Sequence, residues 1–364
     1  MSQLKFHSDL VGKLDRYSGD FSLPDFLYDE NGDLDRKAML EMLLTEEYGF
    51  VDESGLKSWV ELERELCLKV YSGKCKLYRR YRFCFEKNGD STSFPVDLYL
   101  PAGVKEFPLV VALDFTLDVT HDFIPKEEIL DRGVAIARVD FNEITVDEND
   151  FTHGLARLLC DRSDPRSPGK LAVWAFAARR IGHFMVENGY VKPQNLYVAG
   201  HSRLGKTALL AAAEDEIFAG ALCNNSGCSG AAISRNTTGE KIERICRNFP
   251  FFFNTRYPIY ADREEDQPFD QHFLLALVAP RKLCVVANSL DSWADTEAQY
   301  LACEAASVAY EKLGVPGLDR PWNTLPPVGG MCIKGNLAFF HCPGHHFLGR
   351  DNWNFFIDFI KGEY

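Results

Sequence analysis

Residues Gly200-His201-Ser202-Arg203-Leu204-Gly205-Lys206-Thr207 could do chemistry in two incompatible ways. Taken as G-x-x-x-x-G-K-[ST], they match a phosphate-binding loop, whose backbone N–H groups and lysine cradle a nucleotide. Taken as Gly-x-Ser-x-x-Gly, they make a sharp strand-to-helix turn that lifts the hydroxyl of Ser202 into a cleft as a nucleophile. A serine hydroxyl attacks well only when an imidazole accepts its proton, and that imidazole needs a carboxylate to fix its tautomer and stabilise its charged form.

A phosphate loop also needs a second strand ending in a carboxylate that holds magnesium. The strand-like run after the motif ends instead in Cys223-Asn224-Asn225-Ser226. The serine reading needs an acid and then a histidine further along the chain, and both are present. Asp291 follows the apolar run 283–287, and His345 and His346 follow the run 337–340. Asp295 competes with Asp291, either as the acid or as a helix cap, because aspartate suits both places. Asp291 is the expected acid and His346, ahead of His345, the expected base. The N–H of Arg203, at the start of the following helix, would face a developing oxyanion, and the loop 114–118 is where a second donor is expected. His201 and His272 are expected to be packing residues, and the 249–253 phenylalanine cluster packing or an apolar cleft wall. No metal site is expected from His341, His345 and His346, since adjacent histidines point apart and no Asp/Glu spacing accompanies them.

These residues need a frame, and the apolar pattern supplies one. Unbroken apolar runs at 108–113, 134–139, 196–199, 220–223 and 283–287 suit parallel strands covered on both faces. Helical stripes lie between most of them, clearest at 171–187, with a second over 293–313 and a last one carrying Trp353, Phe356, Ile357 and Ile360. Ahead of them, 77–85 and 96–100 alternate like an antiparallel hairpin about a Lys87-Asn88-Gly89-Asp90 turn, and 36–47 has helical spacing. A hairpin leading into repeated strand–helix units predicts an α/β sheet, mostly parallel and twisted, with an antiparallel edge at its start and helices on both faces. Residues 1–70 are expected to form a helical or irregular extension packed on a catalytic domain spanning 71–364.

The chain's 364 residues and 46% hydrophobic content are enough for a large core without a metal or disulfide. A net charge of −13 disfavours nucleic acid and anionic membranes, which demand a basic surface. Eleven cysteines without C-x-x-C spacing suggest reduced, mostly buried thiols. The polar residues 1–9 and the lack of a long apolar run predict a cytoplasmic protein without a membrane span. The expected partner is a small-molecule or oligosaccharide ester.

The 200–209 block, together with Asn224-Asn225-Ser226-Gly227-Cys228-Ser229-Gly230-Ala231-Ala232, Pro268-Phe269-Asp270-Gln271-His272, Ala279-Pro280-Arg281 and Asp291-Ser292-Trp293-Ala294-Asp295, resembles the glucuronoyl esterases, especially their bacterial branch. The resemblance runs from about Leu98 to the carboxyl end. It implies an α/β-hydrolase fold, a three-layer sandwich, and hydrolysis of the ester joining a 4-O-methyl-glucuronic acid side chain of xylan to a lignin alcohol, with no metal or organic cofactor. By position it makes Ser202 the nucleophile, Arg203 the oxyanion stabiliser, Lys206 a contact to sugar hydroxyls, Trp293 a contact to the uronate, and His346 the base of a Pro-Gly-x-His loop. Many relatives carry their acid where Asn225 stands, so the resemblance passes that role to Asp291. Cleavage of acetyl or other small carbohydrate esters on the same triad is the nearest alternative. A nucleotide-binding enzyme and an inactive hydrolase-fold binding protein are the alternatives of another class.

Overall fold

The computed structural model describes residues 3–4, 22–66, 74–115, 124–322 and 324–364. Its frame is a ten-stranded sheet, with strands β1 (Lys57–Leu66), β2 (Cys75–Lys87), β3 (Asp90–Pro101), β4 (Leu109–Asp114), β5 (Ala135–Asp140), β6 (Leu196–His201), β7 (Gly220–Asn224), β8 (Lys282–Asn288), β9 (Met331–Ile333) and β10 (Leu337–Cys342). Their spatial order is β9-β10-β8-β7-β6-β4-β5-β3-β2-β1. The middle six strands are parallel, while β1–β3 at one edge and β9 at the other run antiparallel.

Side chains on a strand alternate between faces, and in the parallel strands both faces are apolar and buried. Val111, Leu113, Val198, Cys223, Val285 and Phe339 point into one core, under helices α2 (Lys170–Glu187), α3 (Arg203–Glu214) and α4 (Thr296–Lys312). Val110, Ala112, Ala199, Leu222, Val286 and Ala338 point into the other, where Trp353, Phe356, Ile357 and Ile360 of α5 (Arg350–Lys361) cover them. Covering of both faces explains why these strands read as unbroken apolar runs, and it yields the three-layer α/β-hydrolase architecture.

The hairpin forms as expected, with β2 and β3 paired from Lys87↔Asp90 outward and Asn88 and Gly89 at positive φ in the turn. Three details differ from the sequence expectations. Within the stretch expected to be helical or irregular, Lys57–Leu66 is a strand paired to β2. Its residues are nearly all exposed, so no apolar alternation marks it; backbone pairing alone makes it a strand. The helix expected over 36–47 is α-helical for Arg36–Leu43 (α1) and then widens into a π turn, Leu44–Tyr48. It ends at Gly49, whose φ of 85° and position 2.3 Å (as a Cβ) from the Ser167 carbonyl leave no room for a side chain. The helix expected from 293 begins at Thr296, because Asp295 adopts a left-handed φ of 53° and caps it. Among the described residues no helix is long and apolar enough to cross a membrane.

Candidate active site

Parallel strands place everything that follows their carboxyl ends along one edge of the sheet, where α/β proteins bind ligands. Register aligns His201 with Asn224, Asn224 with Val286, and Asn288 with Cys342. Ser202, Asn225, Asp291 and His346 therefore leave the same edge. Ser202, Arg203, Lys206, Asp291, Trp293 and His346 all line one cleft of about 430 Å³.

Between the end of β6 at His201 and the start of α3 at Arg203 stands a single residue, Ser202, with φ 55° and ψ −124°. Such a conformation is costly for a residue with a Cβ and persists where surrounding structure imposes it. Its N–H donates to the Asn224 carbonyl at 2.9 Å, and its carbonyl accepts from the N–H groups of Gly205 and Lys206. Gly200 makes the sharp turn possible, since a Cβ there would lie 2.0 Å from the Leu204 carbonyl oxygen. This geometry overturns the phosphate-loop reading. No loop separates strand from helix, the N–H groups of Ser202, Gly205 and Lys206 are engaged, and Lys206 donates to the Ser226 and Cys228 carbonyls.

Two of the downstream groups, Asp291 and His346, meet in this cleft. His346 Nδ1 meets Asp291 Oδ2 at 2.6 Å, and the aspartate side chain is 2% exposed. Asp291 Oδ1 accepts from the Ala294 N–H at 3.2 Å. Asp295 is committed elsewhere: Oδ1 accepts from the Ala298 N–H at the start of α4, and Oδ2 accepts from Thr237 Oγ1 at 2.8 Å and the Thr238 N–H at 2.9 Å. His201 packs against His346 with ring centroids 4.5 Å apart and Nδ1 2.5 Å from Asn224 Oδ1. Burial, aided by the neighbouring His346, pushes it down to about 3, so it stays neutral beside that ring. His272 is buried far along the chain, with Nε2 at 3.0 Å from the Pro24 carbonyl, and His341 Nδ1 lies 2.7 Å from the Pro326 carbonyl.

Arg203 lies with its guanidinium over the rings of Phe249 and Phe252, at 4.8 and 5.2 Å, and paired with Asp147. That aspartate is braced in turn. Fully buried Lys170 donates at 2.6 and 2.7 Å to the carbonyls of Val146 and Glu148, on either side of it. Two phenylalanines of the 249–253 cluster thus serve both as cleft wall and as a platform for a cation. At the start of α3 the N–H groups of Arg203 and Leu204 have no acceptor within the helix, and these two residues directly follow Ser202. Of the loop expected to give a second donor, the Phe115 N–H is bonded to Asp114 Oδ1 at 2.9 Å; residues 116–118 lie outside the described part.

Opposite the apolar wall stand Lys206 and Glu240, both buried. Burial pushes the Lys206 ammonium down and the Glu240 carboxyl up, and each opposes the shift of the other. Glu240 Oε1 has no protein partner among the described residues. Trp293, 37% exposed, forms the mouth with Arg244 stacked over its ring at 4.0 Å. Glu240 escaped the sequence reading because a lone glutamate in a polar loop carries no local signal. Its place comes from its N–H bond to the Trp293 carbonyl at 2.9 Å. Asn225, at the end of β7, uses Oδ1 to accept the Asn288 N–H at 2.7 Å.

The model of the fungal glucuronyl esterase family matches residues 84–314. Carbohydrate esterase MZ0003, from an unknown prokaryotic organism, is 34% identical over 238 residues, covering 64% of this chain and 54% of that protein. The 4-O-methyl-glucuronoyl methylesterase of Hypocrea jecorina is 27% identical over 238 residues, covering 62% of this chain and 49% of that protein. The chain thus spans about half the length of the curated relatives it matches. Among solved structures, a glucuronoyl esterase from Solibacter usitatus superposes with a TM-score of 0.84 at 26% identity, over 95% of this chain and 98% of that one. A promiscuous esterase from a marine bacterial metagenome does so with a TM-score of 0.82 at 25% identity, over 99% and 100%.

Proposed function

The chain belongs to the glucuronoyl esterase family, and from that premise we propose that it hydrolyses esters of glucuronic acid, of the 4-O-methyl-glucuronoyl type, through an acyl-enzyme on Ser202. The observation that carries this reading is the 2.6 Å His346–Asp291 pair in the cleft that also holds the strained Ser202. In the first half-reaction His346 accepts the Ser202 proton as Oγ attacks the ester carbonyl, and Asp291 stabilises the imidazolium so formed. The oxyanion develops toward the N-terminus of α3 and the guanidinium of Arg203, where preorganised donors cost nothing to reorient. His346 then returns the proton to the departing alcohol, and water deacylates the serine by the same route in reverse.

Sugar selectivity falls to the polar wall. Lys206 and Glu240 supply a donor and an acceptor for ring hydroxyls, and the exposed face of Trp293 suits the apolar face of a sugar ring. The role of triad acid passes to Asp291, since the Asn225 amide carries no charge to stabilise an imidazolium. The test is labelling with a fluorophosphonate, paired with hydrolysis of benzyl glucuronate and an aryl acetate. Wild-type protein is expected to be labelled and to prefer the glucuronate, and Ser202→Ala to lose both properties. An unlabelled, folded wild type that hydrolyses neither ester would refute the proposal.

A further inference from the structure

Asn288, the last residue of β8, is 3% exposed, and all of its polar groups are engaged. Its N–H donates to Asn225 Oδ1 at 2.7 Å, and its carbonyl accepts from the Asp291 N–H at 3.0 Å and from Thr296 Oγ1 at 3.3 Å. Its Oδ1 accepts from Asn352 Nδ2 at 3.2 Å. Most informative is Nδ2, which donates to the carbonyls of His345 at 2.6 Å and Phe347 at 2.7 Å. Those carbonyls flank His346.

The two hydrogens of an amide Nδ2 lie in one plane at fixed angles, so two acceptors leave the peptide between them little freedom. Through one buried residue the backbone of the base is tied to the backbone that opens the acid's loop. Bonds from the Ser289 N–H to the Cys342 carbonyl and from the Leu290 N–H to the Gly344 carbonyl, both 2.8 Å, complete a ladder between the loops. Through Asn225, the same residue is anchored to the end of β7.

We infer that Asn288 is a positioning residue for the proposed base: its side chain sets the backbone of His346 so that Nδ1 meets Asp291 in the cleft that Ser202 also lines. The role depends on an amide. Aspartate has the same shape but would set an oxygen against two carbonyl oxygens, and glutamine would displace the fork by a methylene. The inference deepens the proposed acyl-enzyme mechanism and rests on it.

The test compares Asn288→Asp with wild type by steady-state kinetics on benzyl glucuronate and by the downfield proton NMR signal of His346 Nδ1–H. A base misplaced by about 1 Å costs on the order of 10² in rate, so kcat is expected to fall about a hundredfold with KM within about twofold of wild type. The downfield signal should broaden or vanish, and in a His346→Ala background the same substitution should cost nothing further. Wild-type kcat, an undisturbed His346 signal, or an equal loss in the His346→Ala background would each overturn the role. If Asn288→Asp does not fold, Asn288→Ala removes both donors without adding a charge and should lose a similar factor; full activity in that variant would also overturn it. A wild type with no esterase activity and no labelling would refute the esterase proposal instead, and the NMR signal would then decide the role of Asn288 by itself.

Discussion

Asp291 and Asp295 are close in the chain but answer to different partners, and substitution should separate them. Asp291 holds His346 Nδ1, so Asp291→Asn should leave the fold intact and lower kcat by about 10⁴, the scale seen when a triad carboxylate becomes an amide. Single-turnover acylation measures it; a loss below tenfold would move the acid elsewhere. Asp295 caps α4 and accepts from the Thr238 and Gly239 N–H groups. Asp295→Ala should therefore lower stability by about 2 kcal/mol in chemical denaturation, from a lost cap and partnerless donors. On the polar wall, Glu240→Gln should raise KM for a glucuronate ester about tenfold, the value of one charge-assisted hydrogen bond. KM for an aryl acetate should stay unchanged, and equal effects on both substrates would make Glu240 structural.

At the scale of elements, the β6–α3 turn leaves little room for change. A Cβ on Gly200 would lie 2.0 Å from the Leu204 carbonyl oxygen, whereas one on Gly205 would lie 3.0 Å from Ser226 Cβ. Gly200→Ala is expected to destabilise by on the order of 3 kcal/mol and Gly205→Ala by about 1 kcal/mol, since a contact at 3.0 Å is relieved by a shift of a few tenths of an ångström and one at 2.0 Å is not. Urea denaturation with parallel labelling of Ser202 checks both, and a labelled, fully stable Gly200→Ala protein would contradict the account of the turn. This turn was legible in sequence because strand, glycine, serine and helix are contiguous. The start of α4 was not, because the left-handed conformation of Asp295 serves contacts to residues 237–239. Strand β1 was hidden for the opposite reason: its pairing with β2 is a backbone matter, and solvent on both faces leaves no apolar record.

The whole molecule closes around the docking of residues 36–48 behind the loop that follows β7. Tyr48 Oη donates to the Ser229 carbonyl at 2.9 Å, and beside it Glu47 is fully buried, with Oε2 accepting from Gln271 Nε2 at 2.9 Å. Burial pushes the Glu47 carboxyl up to about 7, from an ordinary 4.5. Its folded value exceeds its unfolded one, so the native state binds more protons between those limits and stability falls as pH rises through that window. The full effect is on the order of 3 kcal/mol. Glu47→Gln should flatten the fall in melting temperature from pH 5 to pH 8; an unaltered slope would assign the pH dependence to other groups. The sequence by itself determined the alternation of strands and helices, the strand–serine–helix turn at Ser202 and the chain order of Ser202, Asp291 and His346, because apolar periodicity and motif spacing act over a few contiguous residues. Only the tertiary structure pairs His346 with Asp291 while committing Asp295 to the start of α4, and places Glu240 in the same cleft and Asn288 against the backbone on either side of His346. Those placements depend on sheet register, which aligns Asn224 with Val286 and Asn288 with Cys342, and no local pattern encodes a distance between residues so far apart in the chain.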